Sequence, residues 1–238
     1  MFASDKVSSM DNSRLTPPGN AGLQAVLWDM DGLMVDSEPL WTIAETELAI
    51  SLGGSWDDEV KALVLGTRLD VAVPRMLAYF GAAVTPAQIA ATHDWLLHRM
   101  VDLFTGELVL MPGVEQLMKA LGVEDVPMAL VSSSYRVLVD AVLAHDLGPF
   151  HTTLAGDEVV NGKPHPEPYI TAAARLGVDP ARCVVLEDSP AGVASGEAAG
   201  CSVLAVPSVH GVRVEPGPRR GVVGSLEDAS VDMLRALL

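Results

Sequence analysis

Hydrophobic residues come in two rhythms along this chain, and the switches between them divide it. Short apolar runs rich in branched residues stand at about 24–29, at Val126 to Val131, at Thr152 to Ala155, at Cys183 to Leu186 and at Ser202 to Val206, with Gly221 to Gly224 a last short candidate. Such runs read as buried strands. Between them the apolar spacing is helical. Leu40, Ala44 and Leu48 recur every four residues; Ser37 is the predicted N-cap, Glu38 and Pro39 suit the first turn, and Gly53-Gly54 ends the helix. Residues 57–65 and 69–80 predict two more helices. Thr85-Pro86-Ala87-Gln88 has a capping-box pattern and opens a fourth, to about Phe104. Residues 38–105 are therefore all-helical, an inserted domain between segments of a different kind.

From Leu110 the alternation of strand and helix returns. Pro112-Gly113 leads into a helix to about Leu121, Val137 to Ala144 carries a helical stripe, Pro166 to Leu176 is stopped by Gly177, and Ala191 to Ala199 by Gly200. Ser225-Leu226-Glu227-Asp228 resembles a capping box that starts a terminal helix. The pattern predicts an α/β fold: a Rossmann-like, doubly wound, mostly parallel sheet over residues 22–37 and 106–238, with the helical cap at 38–105. Residues 1–21 are polar, have no hydrophobic period and are expected to be a flexible extension.

Composition narrows the partners. A net charge of -16 repels phosphate backbones, so nucleic acid is an unfavourable partner, and a phosphorylated substrate would need local cations. No apolar stretch is long enough to span a membrane, and the N-terminus lacks the apolar middle of a signal peptide. Cys183 and Cys201 lie in apolar runs and are expected to be reduced, as in a cytoplasmic protein; a monomer is the default expectation.

The candidate chemistry sits at predicted strand ends. Asp29 and Asp31, with Gly32 behind them, follow the first strand; Ser132, Ser133 and Ser134 follow the second; Glu187 and Asp188 follow the fourth; Lys163 lies in the loop Asn161-Gly162-Lys163-Pro164-His165. Parallel strands put their carboxyl ends on one rim, so these groups can meet there. Taken singly each has an ordinary reading: a polar turn, a helix-capping cluster, a loop lysine, a solvated strand end. Taken together they supply a carboxylate able to attack phosphorus, a second carboxylate to move a proton, oxygen ligands for Mg²⁺, and a hydroxyl and an ammonium to hold a phosphoryl group. The histidines show no zinc spacing. His165, two residues from Lys163, is the one placed where substrate contact is conceivable.

Asp29-Met30-Asp31-Gly32, Ser132, Lys163-Pro164 and Glu187-Asp188-Ser189-Pro190-Ala191-Gly192 resemble, in order and spacing, the four motifs of the haloacid dehalogenase-like hydrolases. The resemblance covers about 24–210, and the helical insert is similar to the cap of the β-phosphoglucomutase-like branch. It implies that Asp29 is nucleophile and metal ligand, and that Asp31 is the acid/base with its backbone carbonyl on the metal. Asp188 would be a further ligand, Glu187 a ligand or a support behind one, and Ser132 and Lys163 the phosphate holders. Gly66-Thr67-Arg68 resembles that branch's cap-loop contact, which makes Arg68 a substrate-binding candidate beside Ser133, Gly32 and Glu38. Asp36-Ser37-Glu38-Pro39-Leu40-Trp41 is most similar to phosphatases acting on 2-deoxyglucose 6-phosphate and hexitol phosphates. Asp31 argues against dehalogenation, since dehalogenases of this kind lack a second aspartate. Trp41 stands where β-phosphoglucomutases usually carry a His, so the resemblance implies a Mg²⁺-dependent hydrolase of small phosphorylated metabolites. The alternatives are a mutase and a non-catalytic binding domain.

Overall fold

The computed structural model describes residues 22–64, 67–208 and 213–238. The expected extension over 1–21 lies outside them, as do Leu65 and Gly66. Six strands form one parallel sheet in the order β3-β2-β1-β4-β5-β6. They are β1 (Ala25–Trp28), β2 (Met128–Val131), β3 (Thr152–Leu154), β4 (Cys183–Glu187), β5 (Ser202–Ala205) and β6 (Arg220–Val222). After β1 the chain builds outward through β2 and β3, then crosses back to add β4 on the other side. The carboxyl ends of β1 and β4 therefore flank the crevice where open α/β sheets bind ligands.

Alternate residues of each strand face opposite layers. Val26, Trp28, Leu130, Leu186 and Leu204 point into one cluster with Leu117, Leu138 and Leu234, on α5 (Val114–Val123), α6 (Arg136–Leu143) and α9 (Val231–Ala236). Leu27, Ala129, Val185 and Val203 point into the other, closed by Tyr169, Ala172, Ala173 and Val193 on α7 (Glu167–Leu176) and α8 (Pro190–Ala198). Glu187 continues the odd-numbered face of β4, which turns its side chain toward α7 and α8. Cys183 and Cys201 are free and buried in this second layer.

Between β1 and α5 the described residues form four helices: α1 (Glu38–Ser51), α2 (Asp58–Val64), α3 (Leu69–Tyr79) and α4 (Pro86–Phe104). They pack as α1 on α4, α2 on α3 and α3 on α4, and α4 also lies along α6 of the core. Leu48, Val60, Met76 and Phe104 belong to the same hydrophobic cluster as Trp28 and Leu130, so the insert shares its apolar interior with the sheet. The two connecting segments run side by side: Asp36 N donates to Val109 O and Met111 N to Met34 O, both at 2.9 Å.

Local details depart from expectation. Ser37 precedes α1, but its side chain makes no capping bond and its backbone is already helical. Thr85 does accept from Gln88 N, whereas the Gln88 side chain turns to Thr92 instead of closing the box. Ser225 opens only a short 3-10 turn at Leu226–Asp228; the terminal helix starts at Val231, capped by Ser230. At Gln88 the amide nitrogen donates to Thr92 one turn on, which turns the side chain away from the Thr85 backbone N–H that the motif would satisfy.

Candidate active site

The site is built on the end of β1. Asp29 N donates to Leu186 O at 3.0 Å, which ties the residue to the end of β4, and its side chain is buried. Lys163 Nζ donates to Asp29 Oδ1 at 2.5 Å, Glu187 Oε1 at 2.6 Å and Val131 O at 2.9 Å, so all three of its donors are used inside the protein. Glu187 is wholly enclosed. Its Oε1 also accepts from Tyr169 Oη at 2.8 Å, and its Oε2 accepts from Asp188 N, Ser189 N and Ser189 Oγ at 3.0–3.1 Å. Asp188 is buried beside it, with Oδ2 accepting from Ser208 Oγ.

Two glycines make this packing possible. A β-carbon on Gly192 would stand 1.7 Å from Glu187 Oε1. One on Gly32 would stand 2.3 Å from Asp188 Oδ2, and Gly32 has a φ of +81°, which favours glycine in any case.

Asp31 faces the end of β2. Its Oδ2 accepts from Ser134 Oγ at 2.8 Å and Ser132 Oγ at 3.2 Å, while Ser132 Oγ in turn accepts from Ser134 N at 2.9 Å. Its other oxygen, Oδ1, is buried with no hydrogen-bond partner among the described residues. Asp29 and Asp31 thus leave the same strand toward different neighbours, one on Lys163 and one on the serines.

Asp29 and Glu187 pair with one ammonium, Asp188 lies beside them, and Asp31 is near enough to act on Asp29 and Asp188. Burial raises Asp29 well above the usual carboxylate range; Lys163 opposes the shift, and Glu187, Asp188 and Asp31 add to it. Burial and Glu187 push Asp188 up to about 7, against the pull of Ser208 and Lys163. Burial alone would lower Lys163, but Asp29 and Glu187 hold it above its ordinary value. Asp29, Glu187 and Asp188 each bring a carboxylate oxygen within 4.8 Å of the others. An all-oxygen donor set with excess negative charge fits a hard divalent cation. Glu187 is the least free of the three, because both its oxygens are already bonded.

The remaining candidates lie at varying remove. Ser133 is exposed, and its carbonyl lies 2.1 Å from where a β-carbon on Gly156 would stand. Arg68, from the insert, lines a narrow crevice with Ser132, Ser133, Gly162 and Lys163, and its guanidinium pairs with Asp70 at 3.4 Å. Glu38 is exposed and pairs with Lys61 of α2 at 2.6 Å. His165 turns its ring toward its own helix start, where Nδ1 accepts from Glu167 N. Tyr169 and Ser208 were not among the predicted groups. Tyr169 sits in a helical apolar stripe that reads as core, and Ser208 in an irregular segment with no period. Ser134 was visible only as part of the serine run.

A sequence model of the haloacid dehalogenase-like hydrolases matches residues 23–200. The chain belongs to that family. It is similar to hexitol phosphatase B of Escherichia coli K12, 34% identical over 188 residues that cover 77% of this chain and 83% of that protein. It is also similar to protein CbbY of Rhodobacter capsulatus, 31% identical over 197 residues, 79% of this chain and 87% of that one. Among solved structures, CbbY from Rhodobacter sphaeroides in complex with phosphate superimposes with a TM-score of 0.76 at 28% identity, over 87% of this chain and 96% of that one. The parallel sheet with its helical layers is the fold of these relatives, and this chain is an enzyme of the family's phosphatase kind.

Proposed function

We propose that this chain is a Mg²⁺-dependent phosphomonoesterase that hydrolyses a small sugar or polyol phosphate through a phosphoryl group carried on Asp29. The observation that carries the reading is the division of labour at the end of β1. Asp29 is buried and fixed by Lys163 at 2.5 Å, while Asp31, two residues on, is held apart by Ser132 and Ser134. One carboxylate is placed to attack and the other to move protons, as a two-stage hydrolysis requires.

In this reading an oxygen of Asp29 attacks phosphorus in line with the leaving alkoxide. Asp31 gives that alkoxide a proton, the ester bond breaks, and Asp29 is left as an acyl phosphate. Asp31 then takes a proton from water, the water oxygen attacks phosphorus, and inorganic phosphate leaves as the Asp29 carboxylate returns. Asp31 Oδ1, the oxygen without a partner among the described residues, is the atom that carries the proton. Ser132 lies where its hydroxyl and the following backbone N–H groups can bind a phosphoryl oxygen. Because Lys163 donates all its protons within the protein, it fixes Asp29 directly and acts on the phosphoryl group through its charge.

Asp29, Asp188 and the Asp31 main-chain carbonyl would hold Mg²⁺, which when bound screens the repulsion between phosphate and carboxylates. Glu187, with both oxygens engaged, supports Lys163. The helices at 38–105 serve as a cap whose Arg68 reaches the crevice beside Ser132 and Lys163 and contacts the polar part of the substrate. The polyol or sugar class is supported by the likeness to hexitol phosphatase B and by the charged groups that the insert presents. Trp41, half-buried at the start of α1, brings no titratable group there, which supports water as the phosphoryl acceptor.

The test is phosphate release with Mg²⁺ across sugar, hexitol and nucleotide monophosphates. Release from sugar or hexitol phosphates, lost on chelation, is the expected result. No release from any of them, or isomerised sugar phosphate without free phosphate, would refute the reading.

A further inference from the structure

Tyr169 is the enclosed group at this site with no task in the mechanism above. It lies on α7 beneath the rim, fully buried among small residues such as Ala129, Ala172 and Ala173. Its hydroxyl donates to Glu187 Oε1 at 2.8 Å, and its ring faces the Lys163 ammonium at 4.9 Å from Nζ to the centroid. It therefore touches both members of the 2.6 Å Lys163–Glu187 pair, one through the phenol oxygen and one through the π face.

Lys163 needs such bracing. Its ammonium is a point charge on a flexible four-carbon stem, held by three acceptors. One of these, Asp29, changes character during turnover: once its oxygen bears the phosphoryl group it no longer offers a full negative charge. Val131 O and Glu187 persist through the cycle, and Glu187 accepts from both Lys163 and Tyr169 on the same oxygen. A phenylalanine would fill the same volume; the hydroxyl adds only the bond to Glu187.

We propose that Tyr169 is a positioning residue, which holds Glu187 through its hydroxyl and Lys163 through its ring so that the ammonium stays in place while Asp29 is covalently engaged. The inference rests on the phosphatase reading above, and the experiment separates the two. Tyr169→Phe keeps the ring and removes the hydroxyl. Its kcat for p-nitrophenyl phosphate, per folded enzyme, is expected to fall about tenfold, as small displacements of catalytic groups do. KM should stay within about twofold and the melting temperature should be nearly unchanged. Tyr169→Leu, which removes the ring as well, should be slower still.

A purely structural tyrosine would matter equally whatever stands at position 163. Placed on Lys163→Met, Tyr169→Phe should cost almost nothing further, because the group it steadies is gone. If that background releases no measurable phosphate, Glu187→Ala, which removes the acceptor of the hydroxyl, replaces it. Unchanged kcat in Tyr169→Phe, a loss that follows only the folded fraction, or an equal loss in both backgrounds overturns the assignment. Wild-type protein that releases no phosphate overturns the phosphatase reading and this inference with it, whereas active wild type and an equally active Tyr169→Phe overturn only the inference.

Discussion

The rim of the sheet and the helical insert both face the proposed substrate, and they are built on opposite principles. At the rim, Asp29, Glu187 and Asp188 are buried and each is held by neighbours in the sheet or its loops; Glu187 alone accepts five hydrogen bonds. In the insert the charged groups are paired mostly with one another at partly exposed positions: Glu38 with Lys61, Arg68 with Asp70, Glu47 with Arg99. Buried polar networks permit little variation, because each lost partner strands another group. Exposed pairs are worth little individually and can be exchanged. The difference implies that the rim fixes the reaction and the insert tunes the substrate, and perturbing each region tests it.

The largest effect should come from the rim's first residue. Asp29→Asn keeps the shape but removes the nucleophile, so phosphate release should drop to background while the far-UV spectrum stays native. Persistent Mg²⁺-dependent turnover would mean that the rim does not hold the chemistry. Asp31→Asn should slow turnover by about 10²–10⁴-fold, the usual range for a positioned acid or base. Steady-state kinetics on p-nitrophenyl phosphate would show it, and a normal rate would remove Asp31 from proton transfer.

Much of this rim could be read from the amino-acid order. Asp29, Ser132 and Asp188 each come just after an apolar run, and parallel strands deliver the residues at their carboxyl ends to one edge. Lys163 could be placed only as a loop group able to reach the rim, since nothing in loop spacing says where a long side chain ends. Glu187 was harder: placing it in the metal set or behind it depends on its five hydrogen bonds, whose donors come from three separate stretches of chain. Tyr169 was hidden because a tyrosine in an apolar stripe looks like packing. In the insert the helices were legible from their period, but the pairing of Glu38 with Lys61 was not, because it joins two helices whose relative placement no local pattern encodes.

A steric change at the rim should come next in size. Gly192→Ala puts a methyl group 1.7 Å from Glu187 Oε1, against a side chain with no room to retreat. The expected cost is about 1–3 kcal/mol or more, read as a fall in melting temperature. Gly200→Ala, at a helix end with nothing within 4 Å of its β-carbon, carries only backbone strain at a φ of +85°. An equal loss at both glycines would show that the Glu187 cradle is not tightly built.

The rim should also be the part that senses pH. Asp188 is raised to about 7, so between the ordinary aspartate range and 7 the metal-free folded protein holds more protons here than the unfolded chain. The site's favourable contribution is therefore present at low pH and lost as pH rises through about 7. A divalent cation competes with that proton. Mg²⁺ affinity measured by calorimetry should increase about tenfold or more from about pH 6 to about pH 8, and the Mg²⁺-induced rise in melting temperature should grow with it. A pH-independent Mg²⁺ effect would place the cation elsewhere.

The smallest effect belongs to the insert. Arg68 enters the crevice shared with Ser132 and Lys163, but it is also paired with Asp70, so its charge is partly satisfied without substrate. Arg68→Ala should therefore raise KM by about threefold to tenfold, in line with a partly exposed charged contact, and leave kcat nearly unchanged. The increase should be found with hexitol or sugar phosphates and nearly vanish with p-nitrophenyl phosphate, whose flat leaving group offers the cap no hydroxyls. A loss of kcat equal on all substrates would move Arg68 from the tuning region to the reacting one, and the contrast between rim and insert would no longer hold at that position.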